Sequence, residues 1–423
     1  MSKAKSPWTW VPTLYFFEGL PYFIVNTISV IIFKDLGMDN GKMALLTSLI
    51  GLPWMIKPIW SPFVDIFRSK RWWIVTMQFI MAIIVALLAV TLTSASPFTL
   101  TLILFVIAGF ASATHDISAD GYYMIGLDKH DQSAFVGIRN TFYRVAMVFG
   151  QGVLVVIAGL LEKMTGSVSS AWRITLVISA ALLALLTWYH SFILPRAEEE
   201  RIAAVRTPKE ILSEFGGAFG SFFTKGGALL AIAYMLIFRL PEAFSVKMLY
   251  PFFSDPLSAG GLGLDKEAFG LVYGTAGVIA LLAGGILGGL AISRYGLKKC
   301  LLPMALSLAL PCAVYLYLAL VQPASLWTIG ACVVFDQFGY GFGFTAYTVY
   351  MMRFSEGPLK TTHYAICTGF MALSMLLPGA VAGYIQSWLG YRGFFWLVMV
   401  CGLATIAITL IVRRGVDPEY GKK

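Results

Sequence analysis

The feature that most constrains this chain of 423 residues is a series of twelve long apolar runs. Each run holds about 20 residues, which allows an α-helix to cross roughly 30 Å of hydrocarbon. An isolated strand in lipid would leave its backbone groups unpaired, so each run is expected to be helical. With 58% hydrophobic and 13% charged residues, the chain is too apolar for a soluble protein, and we predict an all-α membrane protein with twelve transmembrane helices. The expected spans are 9–33, 44–66, 72–93, 98–126, 133–161, 171–193, 226–253, 267–292, 300–320, 325–352, 361–387 and 391–412.

The basic residues predict how these spans are oriented. Twenty of the 31 lysines and arginines fall at the two termini and in the loops on the same side of the membrane, and six fall in the loops on the other side. Because basic residues concentrate on the cytoplasmic side, both termini are expected in the cytoplasm. The same bias accounts for most of the net charge of +9, so the expected partner is the lipid bilayer and not a nucleic acid.

Two similar halves are indicated by sequence echoes at an offset of 220 residues. Residues 19–21 in the first span read Gly-Leu-Pro, and residues 239–241 in the seventh read Arg-Leu-Pro. Asp116 in the fourth span is matched by Asp336 in the tenth. Internal repeats of this kind are typical of secondary transporters. We therefore expect two pseudo-symmetric six-helix bundles and a cytoplasmic linker, with boundaries at 1–193, 194–225 and 226–423.

The linker contains a candidate amphipathic helix. Thr207 and Glu210 have the spacing of a capping box, and Pro208 suits the first helical turn. Apolar side chains then recur on one helical face, at Ile211, Phe215, Phe219 and Phe222. Such a helix would lie on the cytoplasmic surface of the membrane. A flexible linker is the alternative, because the glycines at 216, 217 and 220 weaken any helix.

Ionisable residues inside the spans are the most informative positions. Each costs about 3 kcal/mol or more unless it is paired or hydrated. We therefore expect the two bundles to enclose a water-filled chamber into which these groups point. The eleven residues are Glu18, Lys57, Asp65, Asp116, Asp120, Arg139, Arg144, Arg239, Glu242, Lys247 and Asp336.

The fourth and fifth spans carry acids and bases at matching depths. At 1.5 Å per residue, Asp120 and Arg139 each lie roughly 10 Å from the cytoplasmic boundary, while Asp116 and Arg144 lie at roughly 16 and 18 Å. The sequence therefore predicts that each aspartate faces the arginine at its own level. A permanent ion-pair clasp is one interpretation, most simply for Asp120 and Arg139. The other is that the deeper pair lines the chamber and changes partners during transport.

The first and seventh spans are expected to be broken and to line a transport site. Glu18, Tyr22 and Asn26 form a polar stripe near Gly19 and Pro21, and the seventh span has Arg239 and Glu242 around Pro241. Broken helices at corresponding places in two halves mark the substrate site of many carriers. The alternative is that these prolines only bend helices in a crowded bundle.

The tenth span carries a stripe suited to sugars. Asp336, Tyr340 and Tyr347 share one helical face, and Gln337 is adjacent. Aromatic rings and amides at this spacing can stack on sugar rings and hydrogen-bond to them, although simple packing would also explain them.

The loop after the second span is a candidate gate. Asp65 and Arg68 have the charges needed for an ion pair that forms in one transport state and separates in another. Topology signalling by the basic residues alone is the alternative, and it leaves Asp65 unexplained.

No metal site, cofactor or catalytic centre is expected. The isolated His115, His190 and His363 are expected to be solvated or hydrogen-bonded. The five cysteines lack metal-binding spacing and are expected to be small apolar fillers. The chain also lacks an HExxH motif or a recognisable nucleophile–base pair, so it is not expected to be an enzyme.

Six motifs, in order along nearly the whole chain, resemble those of the major facilitator superfamily and, within it, of the AmpG-type muropeptide permeases. They are EGLPYFI, GLPWMIKPIWSPFVD, SATHDISADGYY, FRLPEAF, DQFGYGFGFTAY and GYIQSWLGYRGFF. The resemblance implies a monomeric proton-driven importer in the bacterial inner membrane. Its cargo would be N-acetylglucosaminyl-anhydro-N-acetylmuramyl peptides, carried from periplasm to cytoplasm. An importer of another saccharide or of a siderophore on the same fold remains the alternative.

An anionic glycopeptide would require cationic partners, and proton coupling would require a carboxyl group whose proton affinity changes between states. We expect Lys57, Arg144 and Arg239 to bind the carboxylates of the cargo. The substrate site would also include Tyr22, Asn26, Asp336, Gln337, Tyr340 and Tyr347. The candidates for the proton-coupling carboxyl are Glu18, Asp116 and Glu242.

Overall fold

A computed structural model of the protein describes residues 6–66, 68–92, 97–127, 129–195, 216–217, 219–356 and 360–422. Helices account for nearly all of this part of the chain, and it contains no strand. Nine helices among the described residues are long and apolar enough to cross a membrane. They are Pro7–Asp35, Lys70–Thr91, Phe98–Tyr123, Ile138–Thr165, Val168–Ile193, Ala228–Ser254, Lys266–Tyr295, Leu297–Val321 and Ile366–Arg414.

The second and tenth predicted spans are not among these nine helices, and the eleventh and twelfth share one of them. The second is divided into the helices Asn40–Ile50, Leu52–Ile56 and Ser61–Ile66, with the 3₁₀ turn Lys57–Ile59 between the last two. The tenth is the helix Leu326–Phe354, which carries Asp336 and Gln337 in its middle. The eleventh and twelfth share the long helix Lys360–Arg414, and Gly390 separates them with a φ of 67° that favours glycine. The described chain thus accommodates all twelve spans, and the fold class is confirmed.

Helix ends coincide with local capping signals. Ser69 accepts a hydrogen bond from the backbone N–H of Trp72 at 3.1 Å and begins the third span. Asp265 caps the eighth span in the same way, accepting from Ala268 N–H at 2.8 Å. Such side chains satisfy backbone donors that the first helical turn leaves free. These short-range signals explain why the spans begin where they do.

The breaks expected in the first and seventh spans are only half right. The helix Val11–Phe23 continues through Pro21 without interruption, and the irregularity comes later, as the π-helical segment Ile24–Ile28. The seventh span is interrupted as predicted, because the helix Ala228–Ile237 ends just before Arg239 and a new helix begins at Leu240. A proline near the start of a helix removes no needed donor, which fits Pro241, the second residue of that new helix.

The chain forms two compact units, one of residues 1–36 and 50–214 and the other of residues 37–49 and 215–423. In the first, the first span packs against the fourth and fifth, and the third packs against the fourth and sixth. In the second, the tenth span packs against the eighth and ninth, and the seventh packs against the final helix. The boundary inside the second span has no counterpart in the sequence-based bundles, because apolar periodicity does not reveal which neighbours a helix contacts.

Close backbone approach holds the tenth span in the second unit. A Cβ added at Gly341 would lie 2.0 Å from the carbonyl oxygen of Leu281, and one at Gly339 would lie 2.1 Å from that of Ser307. Small residues allow this kind of packing, which replaces the hydrophobic effect as the source of helix association in lipid.

Most of the predicted linker helix, residues 207–215 and residue 218, lies outside the described part of the chain. Its last predicted apolar residue, Phe222, is fully buried. The Phe222 ring contacts Phe354 and Phe370, with ring centroids 5.3 and 6.1 Å apart. Phe219 is 42% exposed, so the two phenylalanines have different surroundings in the described segment.

Candidate functional site

A cluster of ionisable side chains occupies the interior of the first unit. Lys57 forms an ion pair with Asp116, joining the second span to the fourth. Glu18 on the first span is 7% exposed. Its Oε2 atom is buried and has no hydrogen-bond partner among the described residues. Two acidic side chains and one basic side chain inside a membrane-spanning unit make this cluster a candidate site for a proton.

The break in the second span positions Lys57. This residue begins the 3₁₀ turn Lys57–Ile59, between two short helices. The next residues hold the turn against the fourth span, since Trp60 Nε1 donates to Thr114 Oγ1 at 3.2 Å. Thr114 lies two residues before Asp116, so one helix supplies both the anchor of the turn and the partner of its lysine.

The predicted clasp between Asp120 and Arg139 is present. Arg139 Nη2 lies 2.6 Å from Asp120 Oδ1, and the Tyr15 hydroxyl donates to the same carboxylate oxygen at 3.2 Å. The Arg139 guanidinium also lies over the rings of Tyr15 and Tyr123, 4.5 and 5.5 Å from their centroids. A cation held by a carboxylate and two aromatic faces has strong geometric reasons to remain in place.

The expected pairing of Asp116 with Arg144 is wrong. Asp116 pairs with Lys57 from the second span, while Arg144 is half-buried on the fifth. Depth along two antiparallel helices can be calculated from sequence, but the direction in which each side chain points depends on how the helices are rotated. The sequence predicts Lys57 as a cation for the carboxylates of the cargo, but in this structure Asp116 already balances its charge.

The polar stripe of the first span has an aromatic surrounding. The ring of Tyr22 lies 5.1 Å from that of Trp54 and 6.3 Å from that of Tyr143. Asn26 lies in the π-helical segment, and its side-chain amide donates to the carbonyl of Tyr22 at 3.1 Å. Both residues are half-buried. A half-buried aromatic group beside an amide is compatible with the expected contact to a sugar.

A buried hydrogen-bonded chain in the first unit was missed from sequence. Gln78 on the third span bridges His115 and His190. Its Nε2 atom lies 3.0 Å from His115 Nε2, and its Oε1 atom lies 3.0 Å from His190 Nδ1. His190 contacts Thr13 Oγ1 at 3.0 Å through its other ring nitrogen. The prediction that these two histidines are hydrogen-bonded is confirmed. Gln78 gave the only available signal, as a lone amide in an otherwise apolar span.

The second unit holds the ion pair between Arg239 and Glu242. Arg239 Nε and Nη2 lie 2.8 and 2.6 Å from the two carboxylate oxygens, which gives a bidentate contact. Arg239 Nη2 also donates to the Tyr340 hydroxyl at 3.1 Å, and the guanidinium lies 4.9 Å from the centroid of the Phe344 ring. The interruption of the seventh span places Arg239 just before the helix that carries Glu242. Arg239 is therefore satisfied by protein groups in this structure.

The stripe of the tenth span divides into two environments. Asp336 accepts hydrogen bonds from the Tyr315 hydroxyl at 2.7 Å and from Gln337 at 3.0 Å, and it is 8% exposed. Tyr347 is fully buried and donates to the carbonyl of Met235 at 2.8 Å, with its ring stacked on Phe238. The assignment of Tyr347 to the substrate site is not supported by this geometry, because its ring and hydroxyl are both used in packing.

The candidate gate after the second span is only partly described. The side chain of Asp65 lies outside the described residues. Arg68 is exposed, has a φ of 71°, and lies 6.0 Å from the centroid of the Trp72 ring. The gating role of these two residues stays a prediction.

Long apolar helices and ion pairs inside both units define a multi-pass membrane protein. The chain belongs to the Major Facilitator Superfamily, whose family model matches residues 13–357 and 237–423. The fold agrees, since the crystal structure of a D-xylose–proton symporter superposes with a TM-score of 0.71 at 14% identity and 98% coverage of each chain.

The resemblance to AmpG-type permeases is also confirmed. A putative transporter named AmpG 4, from Rickettsia felis, is 25% identical over 422 residues, with 95% of each chain covered. The anhydromuropeptide permease of Escherichia coli K12 is 22% identical over 375 residues, covering 88% of this chain and 72% of that permease.

Proposed function

We propose that this protein is a proton-coupled secondary transporter that imports anhydro-muropeptides from periplasm to cytoplasm by alternating access. The observation that carries the proposal is the cluster of Glu18, Asp116 and Lys57. It places two carboxyl groups and one ammonium group in the interior of a membrane-spanning unit, with one carboxylate oxygen of Glu18 lacking a partner among the described residues. A purely structural bundle has no need for groups that are this costly to bury.

The cluster suggests how a proton would be exchanged. When Asp116 is ionised, its attraction to Lys57 stabilises the ion pair between the second and fourth spans. A proton taken up by the two neighbouring carboxyl groups weakens that attraction, and the lysine is then free to move. Release of the proton restores the pair. Glu242 is the third candidate, and we rank it after Glu18 and Asp116 because both of its carboxylate oxygens already accept hydrogen bonds from Arg239.

The proposed cargo comes from the relatives. One relative is named an anhydromuropeptide permease and another carries the AmpG name. The half-buried Tyr22 and Asn26 in the first unit and Tyr340 beside Arg239 in the second supply aromatic and polar groups suitable for a glycopeptide. Another saccharide or a siderophore is the alternative cargo on the same fold.

Uptake into membrane vesicles tests both parts of the proposal. Labelled anhydro-muropeptide should accumulate when an inward proton gradient is present and should only equilibrate after the gradient is collapsed. Glu18→Gln or Asp116→Asn should abolish accumulation, because neither amide can bind and release the proton. Asp39→Asn is the matched control, since Asp39 is an exposed carboxylate paired with Lys42 and should leave uptake unchanged.

The outcomes separate coupling from cargo. Full gradient-driven accumulation by both the Glu18 and Asp116 variants would refute the proton site. Equal uptake with and without the gradient would refute coupling altogether. No uptake of muropeptide by folded wild-type protein, combined with uptake of a ferric chelate or another saccharide, would leave a transporter with a different cargo.

We also propose that the chain resides in the bacterial inner membrane as a monomer with both termini in the cytoplasm. The distribution of lysines and arginines among the loops supports this orientation. Fusions of a periplasm-active reporter at successive loops would test it. Activity from a fusion at the C-terminus would contradict the proposed topology.

A further inference from the structure

One basic side chain of the seventh span is not balanced by an acidic one. Lys247 is half-buried, and its Nζ atom donates to the carbonyl oxygen of Thr47 at 3.2 Å. No carboxylate of the described residues lies within 4.0 Å of this ammonium group. Lys57 and Arg239 differ in this respect, because Asp116 and Glu242 neutralise them.

A buried serine hydroxyl lies near this lysine in the same unit. The Ser48 side chain is 4% exposed, and its hydroxyl has no hydrogen-bond partner among the described residues. A Cβ added at Gly379 would lie 3.0 Å from Ser48 Oγ and 3.4 Å from Lys247 Cγ. The serine hydroxyl and the lysine side chain therefore both lie against Gly379, where no side chain separates them.

The contact with Thr47 does not fully account for Lys247. Thr47 lies in the last turn of the helix Asn40–Ile50, whose final carbonyls lack helical partners, and a cation there is favourable. One carbonyl nevertheless occupies only one of three ammonium donors and brings no negative charge. It also leaves the hydroxyl of Ser48 unsatisfied. A buried donor and a poorly compensated cation side by side are costly unless an anion completes them.

We propose that Lys247 and Ser48 form a binding site for a carboxylate group of the cargo. This inference rests on the proposed transport function and specifies the cargo as an acidic saccharide or glycopeptide. One carboxylate oxygen pairs with the ammonium group of Lys247, and the hydroxyl of Ser48 donates to the carboxylate. The half-buried position of Lys247 leaves its side chain partly accessible to a solute. Within the second unit, this cation replaces Arg239 as the residue that recognises the negative charge.

Two sugars that differ by a lactyl ether group bearing a carboxylate provide the test. N-acetylmuramic acid carries a lactyl carboxylate that N-acetylglucosamine lacks. The full-length protein, purified in detergent, would be titrated with each sugar while its thermal unfolding is followed. The wild type should bind N-acetylmuramic acid at least tenfold more tightly. Lys247→Gln and Ser48→Ala should lower that affinity, the first by about tenfold or more, and neither should change the affinity for N-acetylglucosamine.

Three further variants separate binding from structure. Lys247→Arg should retain the preference, because it keeps the positive charge. Gly379→Ala should weaken the preference, because the added methyl group would lie 3.0 Å from Ser48 Oγ and 3.4 Å from Lys247 Cγ and would displace these side chains. A folded Gly379→Ala protein keeps the test decisive if Lys247→Gln fails to fold. Lys225→Gln is the matched control, since Lys225 also donates to backbone carbonyls but lies away from this site. This variant should prefer N-acetylmuramic acid over N-acetylglucosamine as strongly as the wild type does.

Failure of this inference is distinguishable from failure of the proposed function. Equal affinity of the wild type for the two sugars would overturn the carboxylate site, and so would an unchanged preference in folded Lys247→Gln or Gly379→Ala. Vesicles that accumulate muropeptide in spite of that result would preserve the transport proposal. A carboxylate preference that depends on Lys247, in a protein that does not transport muropeptide, would support the site and reject the cargo.

Discussion

The ion pair of Arg239 and Glu242 allows a quantitative test of the structure. The side chains are 10% and 18% exposed, and two charge-assisted hydrogen bonds of 2.8 and 2.6 Å join them. Removing one partner of a buried pair leaves an uncompensated charge and typically costs about 3–5 kcal/mol. Glu242→Gln should therefore destabilise the protein by about 3 kcal/mol. Arg239→Gln should cost about 1 kcal/mol more, because the contacts with Tyr340 and Phe344 are also lost.

The double variant is the informative member of this set. With neither charge present, the loss should be only about 1–2 kcal/mol beyond the lost contacts of Arg239, so the coupling energy should be about 4–5 kcal/mol. Reversible unfolding in mixed detergent micelles, followed by tryptophan fluorescence, would measure all four proteins. The pair of Lys422 and Glu419 is the control, since Glu419 is 71% exposed and its coupling should stay below about 0.5 kcal/mol. If the coupling energy of Arg239 and Glu242 were also below about 0.5 kcal/mol, the two side chains would not be a buried pair.

Two further substitutions test packing and buried polarity. Gly383→Ala should strongly destabilise the second unit, because the added Cβ would lie 1.8 Å from the carbonyl oxygen of Asn40. Gly289→Ala is the control and should be neutral, because its added Cβ would have no atom within 4 Å. Expression and thermal unfolding would compare the two variants, and equal stability would contradict the close approach. Gln78→Leu should lower the free energy of unfolding by about 2–4 kcal/mol, because ring nitrogens of His115 and His190 lose their partner in the apolar interior. A variant as stable as the wild type would show that the amide does not bridge the two rings.

The candidate site shows where sequence reasoning succeeds. Asp120 and Arg139 were matched by depth alone, and they form the predicted pair. The calculation worked because helical rise is nearly constant, so position along the membrane normal follows from residue number. The interruption near Arg239 was also predicted, and it fits the clash of a proline ring with the carbonyl four residues earlier, which for Pro241 is that of Ile237. The same signal failed at Pro21, through which the helix continues.

The same reasoning failed wherever helix rotation or the choice of neighbour decided the outcome. Asp116 pairs with Lys57 and not with Arg144, and Tyr347 is buried in packing although it shares a helical stripe with Asp336. Both errors assumed that polar residues at helical spacing point toward the same place. The orientation of a helix about its own axis depends on packing with several others at once, and a single sequence does not contain that information directly.

The sequence by itself determined the membrane environment and the number of spans, and it pointed to the ionisable residues inside them, because these depend on local apolar content and on the cost of burying an ionised group in lipid. Only the tertiary structure decided which charges are paired. It left Lys247 beside Ser48 without a carboxylate partner among the described residues, while Arg239 and Lys57 each acquired one. Pairing depends on a few ångströms of side-chain approach between segments distant in sequence, and that geometry exists only once the helices have packed.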